Sequence, residues 1–227
     1  KESNQFGDSE TDTFFMRVKA LSINSDNEID ITKIKNLFNV IAIKRNMTFN
    51  IYNTAEIPKI IIMVSKFDHC LMDLLYRAKT KELKVQIVAI ISNHNDAQNL
   101  AKNYNVPFHC IEVNKDNKNI AEKSLEKLIH KYDAEAIILA RYMQILSKEI
   151  SDKYSGKIIN IHHSFLPSFK GASPYKQAYK RGVKLIGATA HFVTSDLDEG
   201  PIIEQDVARV THSTSSFDMV AAGRDVE

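Results

Sequence analysis

The segment Asn160-Ile161-His162-His163-Ser164-Phe165-Leu166-Pro167 sets an amide and two imidazoles directly after the apolar pair Ile158-Ile159, then breaks the chain with proline. A second segment runs from His191-Phe192-Val193 to Asp198-Glu199-Gly200-Pro201 and carries a carboxylate at Asp198. A histidine oriented by a carboxylate titrates near neutrality and can take up and return a proton. An asparagine amide can donate N–H to the oxyanion that forms when a carbonyl is attacked. Asn160, His162 and Asp198 together therefore suit attack on a carbonyl. Ser164 lies in no Gly-x-Ser-x-Gly elbow, and no other activated nucleophile stands out, so the attacking group is expected to be water or an amine.

The same residues admit a metal reading, with His162, His163, His191 and Asp198 as zinc ligands. Adjacent histidines on an extended segment point to opposite faces, so His162 and His163 cannot readily share one ion. A strand histidine such as His191 is more often a satisfied structural residue than a ligand. The expectation is a site without metal or cofactor.

Residues of this kind need strand ends to hold them. From Lys59 onward, short apolar strands alternate with helices: strands at Lys59–Val64, Val85–Ser92, Pro107–Val113, Ala136–Ala140 and Lys157–His162, and helices at His69–Thr80, Asp96–Tyr104 and Asn119–Lys131. Strands without polar alternation, separated by helices, predict a parallel sheet covered on both faces. Two longer strands follow at Leu185–Thr194 and Pro201–Val210, and the chain reads as helical again where it reaches Glu227. Ligands of open α/β sheets bind outside the carboxyl ends of the strands. Three of those ends carry polar chemistry, at Arg141-Tyr142-Met143-Gln144, at Asn160 to His162, and at Thr194 to Asp198, with a smaller signal at Ser65-Lys66.

The first part of the chain reads differently. A polar stretch runs to Asp12, and Thr13–Leu21 alternates enough for a half-buried strand. Asn24–Asn27 reads as a turn, and Asp30 caps a helix with Ile34, Leu37, Phe38 and Ile41 on one face. Met47–Tyr52 is expected to be a second strand. This β-α-β unit, residues 1–53, is joined by a linker at 54–58 to a larger unit at 59–227. The small unit buries too little to stand alone. The chain opens on Lys1 rather than Met, and the expectation is a fragment or an incompletely observed chain.

With 227 residues, 44% apolar, the chain can bury a full core. Its net charge of +2, with basic residues scattered, gives no sign of a nucleic-acid partner. The apolar runs are strand-length, so no membrane partner is expected. Two cysteines, Cys70 and Cys110, argue against a disulfide framework and for a reducing cytoplasm.

At the polar strand ends the sequence resembles the formyltetrahydrofolate-binding transferases. Their fingerprint is N-x-H-x-S-x-L-P followed by H-x-V-x-x-x-x-D-x-G-P, matched from Asn160 to Pro167 and from His191 to Pro201. An aromatic-Met-x-x-Leu-Ser loop of the family is matched by Tyr142-Met143-Gln144-Ile145-Leu146-Ser147. The resemblance covers roughly Lys59 to the end. It implies an open, mostly parallel Rossmann-like α/β sheet with helices on both faces, preceded by a partial ferredoxin-like (ACT) α+β domain. It implies Asn160, His162 and Asp198 as the catalytic trio. Folate would be bound by Tyr142, Met143, Gln144, Ile145, Leu146, Val193, Thr194 and Leu197, with His163, Ser65 and Lys66 supporting.

Transferases of this family that act on a ribonucleotide carry a glycine-rich phosphate loop after the first strand. This chain has Met63-Val64-Ser65-Lys66-Phe67-Asp68-His69-Cys70 there, without glycine. That stretch, the His162-His163 pair, Ala140-Arg141-Tyr142-Met143-Gln144 and Phe14-Phe15-Met16-Arg17-Val18 resemble the family's hydrolytic branch. The resemblance thus implies 10-formyltetrahydrofolate as substrate and water as acceptor, releasing formate for purine synthesis. It also implies a homo-oligomer, and an amino-acid effector as a further partner at the ACT-like unit. It places a hairpin and helix after Glu227. Two alternatives remain at this stage: transfer of the formyl group to an amine such as glycinamide ribonucleotide, and a small-molecule sensor with an inactive catalytic unit. The missing phosphate loop weighs against the first and the intact trio against the second.

Overall fold

A computed structural model describes residues 2–21, 30–168 and 174–227. The chain divides into two compact units, Lys1–Glu56 and Ile57–Glu227. The turn expected at Asn24–Asn27 lies outside the described residues.

In the first unit β1 (Glu2–Asp8) and β2 (Thr13–Lys19) pair antiparallel, with Asp8 opposite Thr13. Helix α1 (Ile31–Lys44) starts at Asp30, whose side chain accepts from the Lys33 backbone N–H, as the sequence predicts. Three expectations are corrected. The polar stretch before Asp12 forms a strand, because alternating residues there find β2 as a partner. Met47–Tyr52 is not a strand: among the described residues no neighbour offers it a ladder. The order is accordingly β-β-α rather than β-α-β. Nor is β2 half-buried, since Phe14 and Phe15 are 64% and 56% exposed in a two-stranded sheet that covers neither side chain.

The second unit contains, in chain order, β3 (Lys59–Val64), α2 (His69–Thr80), β4 (Gln86–Ser92), α3 (Gln98–Asn103), β5 (Phe108–Cys110), α4 (Lys118–Tyr132) and β6 (Ala136–Leu139). Then follow α5 (Lys148–Lys153), β7 (Ile158–His162), α6 (Pro174–Arg181), β8 (Leu185–Phe192), β9 (Ile202–Arg209) and α7 (Ser216–Val226). Among the described residues these strands form one seven-stranded sheet in the order β5-β4-β3-β6-β7-β8-β9. The first five run parallel, while β8 and β9 are antiparallel to their neighbours.

Strand alternation divides the core. Ile61 and Met63 of β3 pack with Leu125 and Ile129 of α4 on one face. Ile60, Ile62 and Val64 pack with Leu71 and Leu75 of α2 on the other. A smaller cluster joins Tyr175 and Ala178 of α6 to Ile186, Val210 and Met219. Helices α5 and α6 escape the sequence reading because six and eight residues are too short to show a 3.6 period. Helix α5 is nonetheless capped by Ser147, which accepts from the Ile150 N–H. The third strand of the alternating series is shorter than expected, three residues, because it lies at the sheet edge and pairs only with β4.

The strand order has one reversal of winding, between β3 and β6. From β3 the chain proceeds outward to β4 and β5, then returns to the other side of β3. The crevice at such a switch point, above the carboxyl ends of the strands, is where open α/β sheets take ligands.

Candidate active site

Strand β7 delivers Asn160 and His162, and its antiparallel neighbour β8 delivers His191 directly opposite Asn160. The loop after β8 then returns Asp198. Its backbone adopts a left-handed φ of 57°, a conformation that aspartate tolerates better than most residues. Two features shut this loop tightly. The Phe192 N–H donates to the Pro201 carbonyl at 2.9 Å, and a Cβ on Gly200 would overlap the Phe192 carbonyl. Glycine at this position is therefore a steric requirement of the loop.

The three residues inferred to form the catalytic trio come together around the two histidines. His162 Nδ1 lies 3.4 Å from Asp198 Oδ1, and His191 Nε2 lies 3.8 Å from the same oxygen. Asn160 Nδ2 is 3.2 Å from His191 Nε2, while His191 Nδ1 is 3.0 Å from the Phe192 carbonyl. A carbonyl only accepts, so Nδ1 carries the His191 proton and Nε2 receives one N–H of the Asn160 amide. The second N–H of that amide stays available to a ligand. His162 is buried, and its Nε2 has no hydrogen-bond partner among the described residues. A buried ring nitrogen without a partner, beside a free amide N–H, is poised for a substrate proton.

Electrostatics separate the roles. The hydrogen bond with His162 is the largest influence holding Asp198 below the ordinary carboxylate range; burial opposes it, and the neighbouring histidines add to the lowering. Burial, then the Arg141 charge, push His163 down to about 4, so its ring is neutral at pH 7. His163 lies beside the trio, its ring centroid 5.5 Å from that of His162 and 6.2 Å from that of Tyr175.

The segment beyond His163 is pinned by residues the sequence reading did not single out. Thr189 Oγ1 donates to the Ser164 carbonyl at 2.8 Å and accepts from the Leu166 N–H at 3.1 Å. Gln205 Nε2 donates to Thr189 Oγ1 and to the Leu166 carbonyl, both at 3.0 Å. Ser65 has a comparable structural task. Its hydroxyl donates to Asn93 Oδ1 at 2.6 Å and accepts from the Met143 N–H at 2.9 Å, tying the ends of β3 and β4 to the loop after β6. Lys66 is exposed.

The residues inferred to bind folate divide into two sets. Tyr142, Leu146 and Val193 turn inward against the core between the sheet and α4. Burial raises the Tyr142 hydroxyl to about 12, as fits a phenol kept from water. Met143, Ile145 and Leu197 remain exposed, and apolar side chains left open at a site mouth are suited to a flat ring. Gln144 is half-buried, as is Thr194, whose hydroxyl donates to the Asp196 carbonyl at 3.0 Å.

His191 is the residue whose role was undervalued. It is satisfied structurally, as expected, yet it also orients the Asn160 amide. Its position opposite Asn160 depends on strand pairing, which spacing along the chain does not reveal. The ligand atoms of His162, His191 and Asp198 lie within 4.8 Å of one another, close enough for a metal ion. Both His191 nitrogens are already engaged, so recruiting it as a ligand would release the Asn160 amide.

An open α/β sheet with an amide, an imidazole and a carboxylate at its strand ends defines a site for acyl-type transfer or hydrolysis. The chain belongs to the formyl transferase family, whose model matches residues 58–227. It is 46% identical over 226 residues to a formyltetrahydrofolate deformylase from Corynebacterium sp. (strain P-1), covering 100% of this chain and 78% of that protein. The crystal structure of a formyltetrahydrofolate deformylase from Pseudomonas syringae pv. tomato matches with a TM-score of 0.93 at 42% identity, over 100% of this chain and 75% of that one. A phosphoribosylglycinamide formyltransferase from Coxiella burnetii matches with a TM-score of 0.69 at 31% identity, over 75% of this chain and 81% of that one.

Proposed function

We propose that this chain hydrolyses 10-formyltetrahydrofolate to formate and tetrahydrofolate. The observation that carries the reading is His162, held by Asp198 at Nδ1 with a buried, unpartnered Nε2 next to the Asn160 amide. Its relatives named formyltetrahydrofolate deformylase match along the whole chain, and more strongly than the phosphoribosylglycinamide formyltransferase does. Met143, Ile145 and Leu197 supply apolar walls for the pterin, and the backbone around Tyr142 to Leu146 and Val193 to Thr194 lines its edge.

In the reaction, water adds to the formyl carbon and the carbonyl oxygen takes up negative charge. Asn160 Nδ2 donates to that oxygen, aligned from behind by His191. His162 Nε2 accepts the proton that water gives up and passes it to the folate N10. The C–N10 bond then breaks, leaving formate and tetrahydrofolate. Asp198 holds the His162 tautomer and stabilises the imidazolium that forms between the two proton transfers. The chemistry needs no metal.

The full-length chain should therefore release formate from 10-formyltetrahydrofolate at an undiminished rate after treatment with a chelator. Loss of formate release that added zinc restores would overturn the metal-free mechanism. No release under any condition would overturn the function itself.

The chain also works as a homo-oligomer, with an amino-acid effector site in its first unit. Exposed Phe14, Phe15, Met16 and Val18 on β2, an apolar set that water disfavours, support the assembly. Sedimentation of the full-length chain at micromolar concentration should give a dimer or larger species. A monomer there would refute the assembly.

A further inference from the structure

Arg141 stands beyond the carboxyl end of β6, one of the two strands that flank the switch point, and is not part of the proposed trio. It follows β6 closely, and since Leu139 pairs with Asn160, Arg141 comes level with His162 at the strand ends. Its backbone has φ 63°, a left-handed conformation in which glycine would be unstrained. The chain instead places its largest cationic side chain there, and backbone strain of this kind persists where the surroundings hold it for a purpose.

The surroundings do hold it. The Arg141 side chain is only 10% exposed. Its guanidinium lies over the Phe67 ring at 5.5 Å, and Arg224 lies over the same ring at 5.5 Å. Arg141 Nη1 is 3.4 Å from Glu227 Oε2, a carboxylate that also meets His69 Nε2 and the Tyr175 hydroxyl at 2.8 Å each. Tyr175 reaches Glu227 because α7 has Gly223 where a Cβ would overlap the Tyr175 ring. Glycine within a helix is disfavoured relative to alanine, so the approach of Tyr175 is maintained against helix propensity. Arg141 Nε and Nη1 are buried without a hydrogen-bond partner among the described residues. The ion pair therefore holds the guanidinium without satisfying it.

We infer that Arg141, clamped by Phe67 and Glu227, is the residue that restricts the formyl acceptor to water. This rests on the hydrolytic reading above and adds the determinant of its specificity. Through Glu227 and Tyr175, whose ring lies 6.2 Å from that of His163, the guanidinium borders the His162-His163 pair. There it fills the space through which an amine would approach the formyl carbon, and its charge repels a protonated amine. Water is small enough to enter beside it. Removing the side chain opens the other half of a formyl-transfer site. A primary amine could then attack the formyl carbon, lose a proton through His162 to N10, and leave as the formamide with tetrahydrofolate as the second product.

The test uses the full-length chain with 10-formyltetrahydrofolate and glycinamide as the probe amine, and reads the ratio of formylglycinamide to formate. Arg141→Gly, which also relieves the left-handed backbone, should raise that ratio at least tenfold over the unsubstituted chain. Phe67→Ala, which frees one side of the clamp, should raise it less and provides the readout if Arg141→Gly does not fold. An unchanged ratio in whichever variant folds and turns over overturns the inference, and so does loss of both products from a folded Arg141→Gly, which would show that Arg141 is needed for turnover rather than for excluding the amine. Formate release by the unsubstituted chain is the control that separates this outcome from failure of the hydrolytic reading.

Discussion

Asn160→Ala lowers kcat for formate release by about 10²–10³ and leaves KM for the folate nearly unchanged, the size of loss that follows removal of one oxyanion donor. The effect comes from the division of labour between the amide's two N–H groups. One is directed to His191 Nε2 at 3.2 Å, which fixes the plane of the amide. The other is thereby aimed where charge develops on the formyl oxygen, and this bond strengthens only as the tetrahedral adduct forms. An interaction made chiefly in the transition state appears in kcat rather than in ground-state binding. His191→Phe, which removes the acceptor behind the amide while filling its volume, should reproduce part of the loss with no change in folate affinity. Steady-state kinetics on the full-length variants decide the matter. A rise confined to KM for Asn160→Ala would show that the amide binds substrate rather than the oxyanion.

Asp198→Asn lowers kcat by about 10²–10⁴, the range spanned by losing general acid–base assistance and by misplacing a catalytic histidine's tautomer. Asp198 Oδ1 lies 3.4 Å from His162 Nδ1, so the carboxylate selects the tautomer with its proton on Nδ1 and leaves Nε2 free to accept. An asparagine amide can present its N–H₂ to Nδ1 and drive the proton to Nε2, where it blocks uptake from water. The native carboxylate is held below the ordinary carboxylate range, first by its hydrogen bond with His162. A lowered folded-state value means that the contribution of Asp198 to stability is fully present above the ordinary carboxylate pKa and is lost as pH falls through the lowered one. Around neutrality the carboxylate is thus ionised, and its protonation does not limit turnover there. A pH–rate profile of Asp198→Asn that matches the native chain in height and shape would refute the role.

The two losses should not add. Asn160 and Asp198 act on one tetrahedral intermediate through residues in direct contact, so the loss in the double variant should fall well short of the product of the single effects.

The α/β class of the larger unit could be read from the chain alone, and so could the candidates for the proposed trio. Runs such as Lys59–Val64 and helices such as His69–Thr80 appear with the predicted bounds, because continuous apolar strands and 3.6-period helices are local patterns that the core only has to accept. Asn160, His162 and Asp198 stood out because two long motifs occur in family order at strand ends, and the structure brings them together with His191. The first unit was read less well. Whether Met47–Tyr52 forms a strand depends on a partner, and ladder partners are not written into a strand's own residues. The same reason hid His191 as the aligner of Asn160, since antiparallel pairing of β7 with β8 alone sets them opposite each other. Arg141, Tyr175, His69 and Glu227 are scattered over 158 positions from His69 to Glu227, and no spacing rule joins them. Folding brings them together, because α6 packs with α7 and sets Glu227 within reach of His69, Arg141 and Tyr175, where burial makes the charges count.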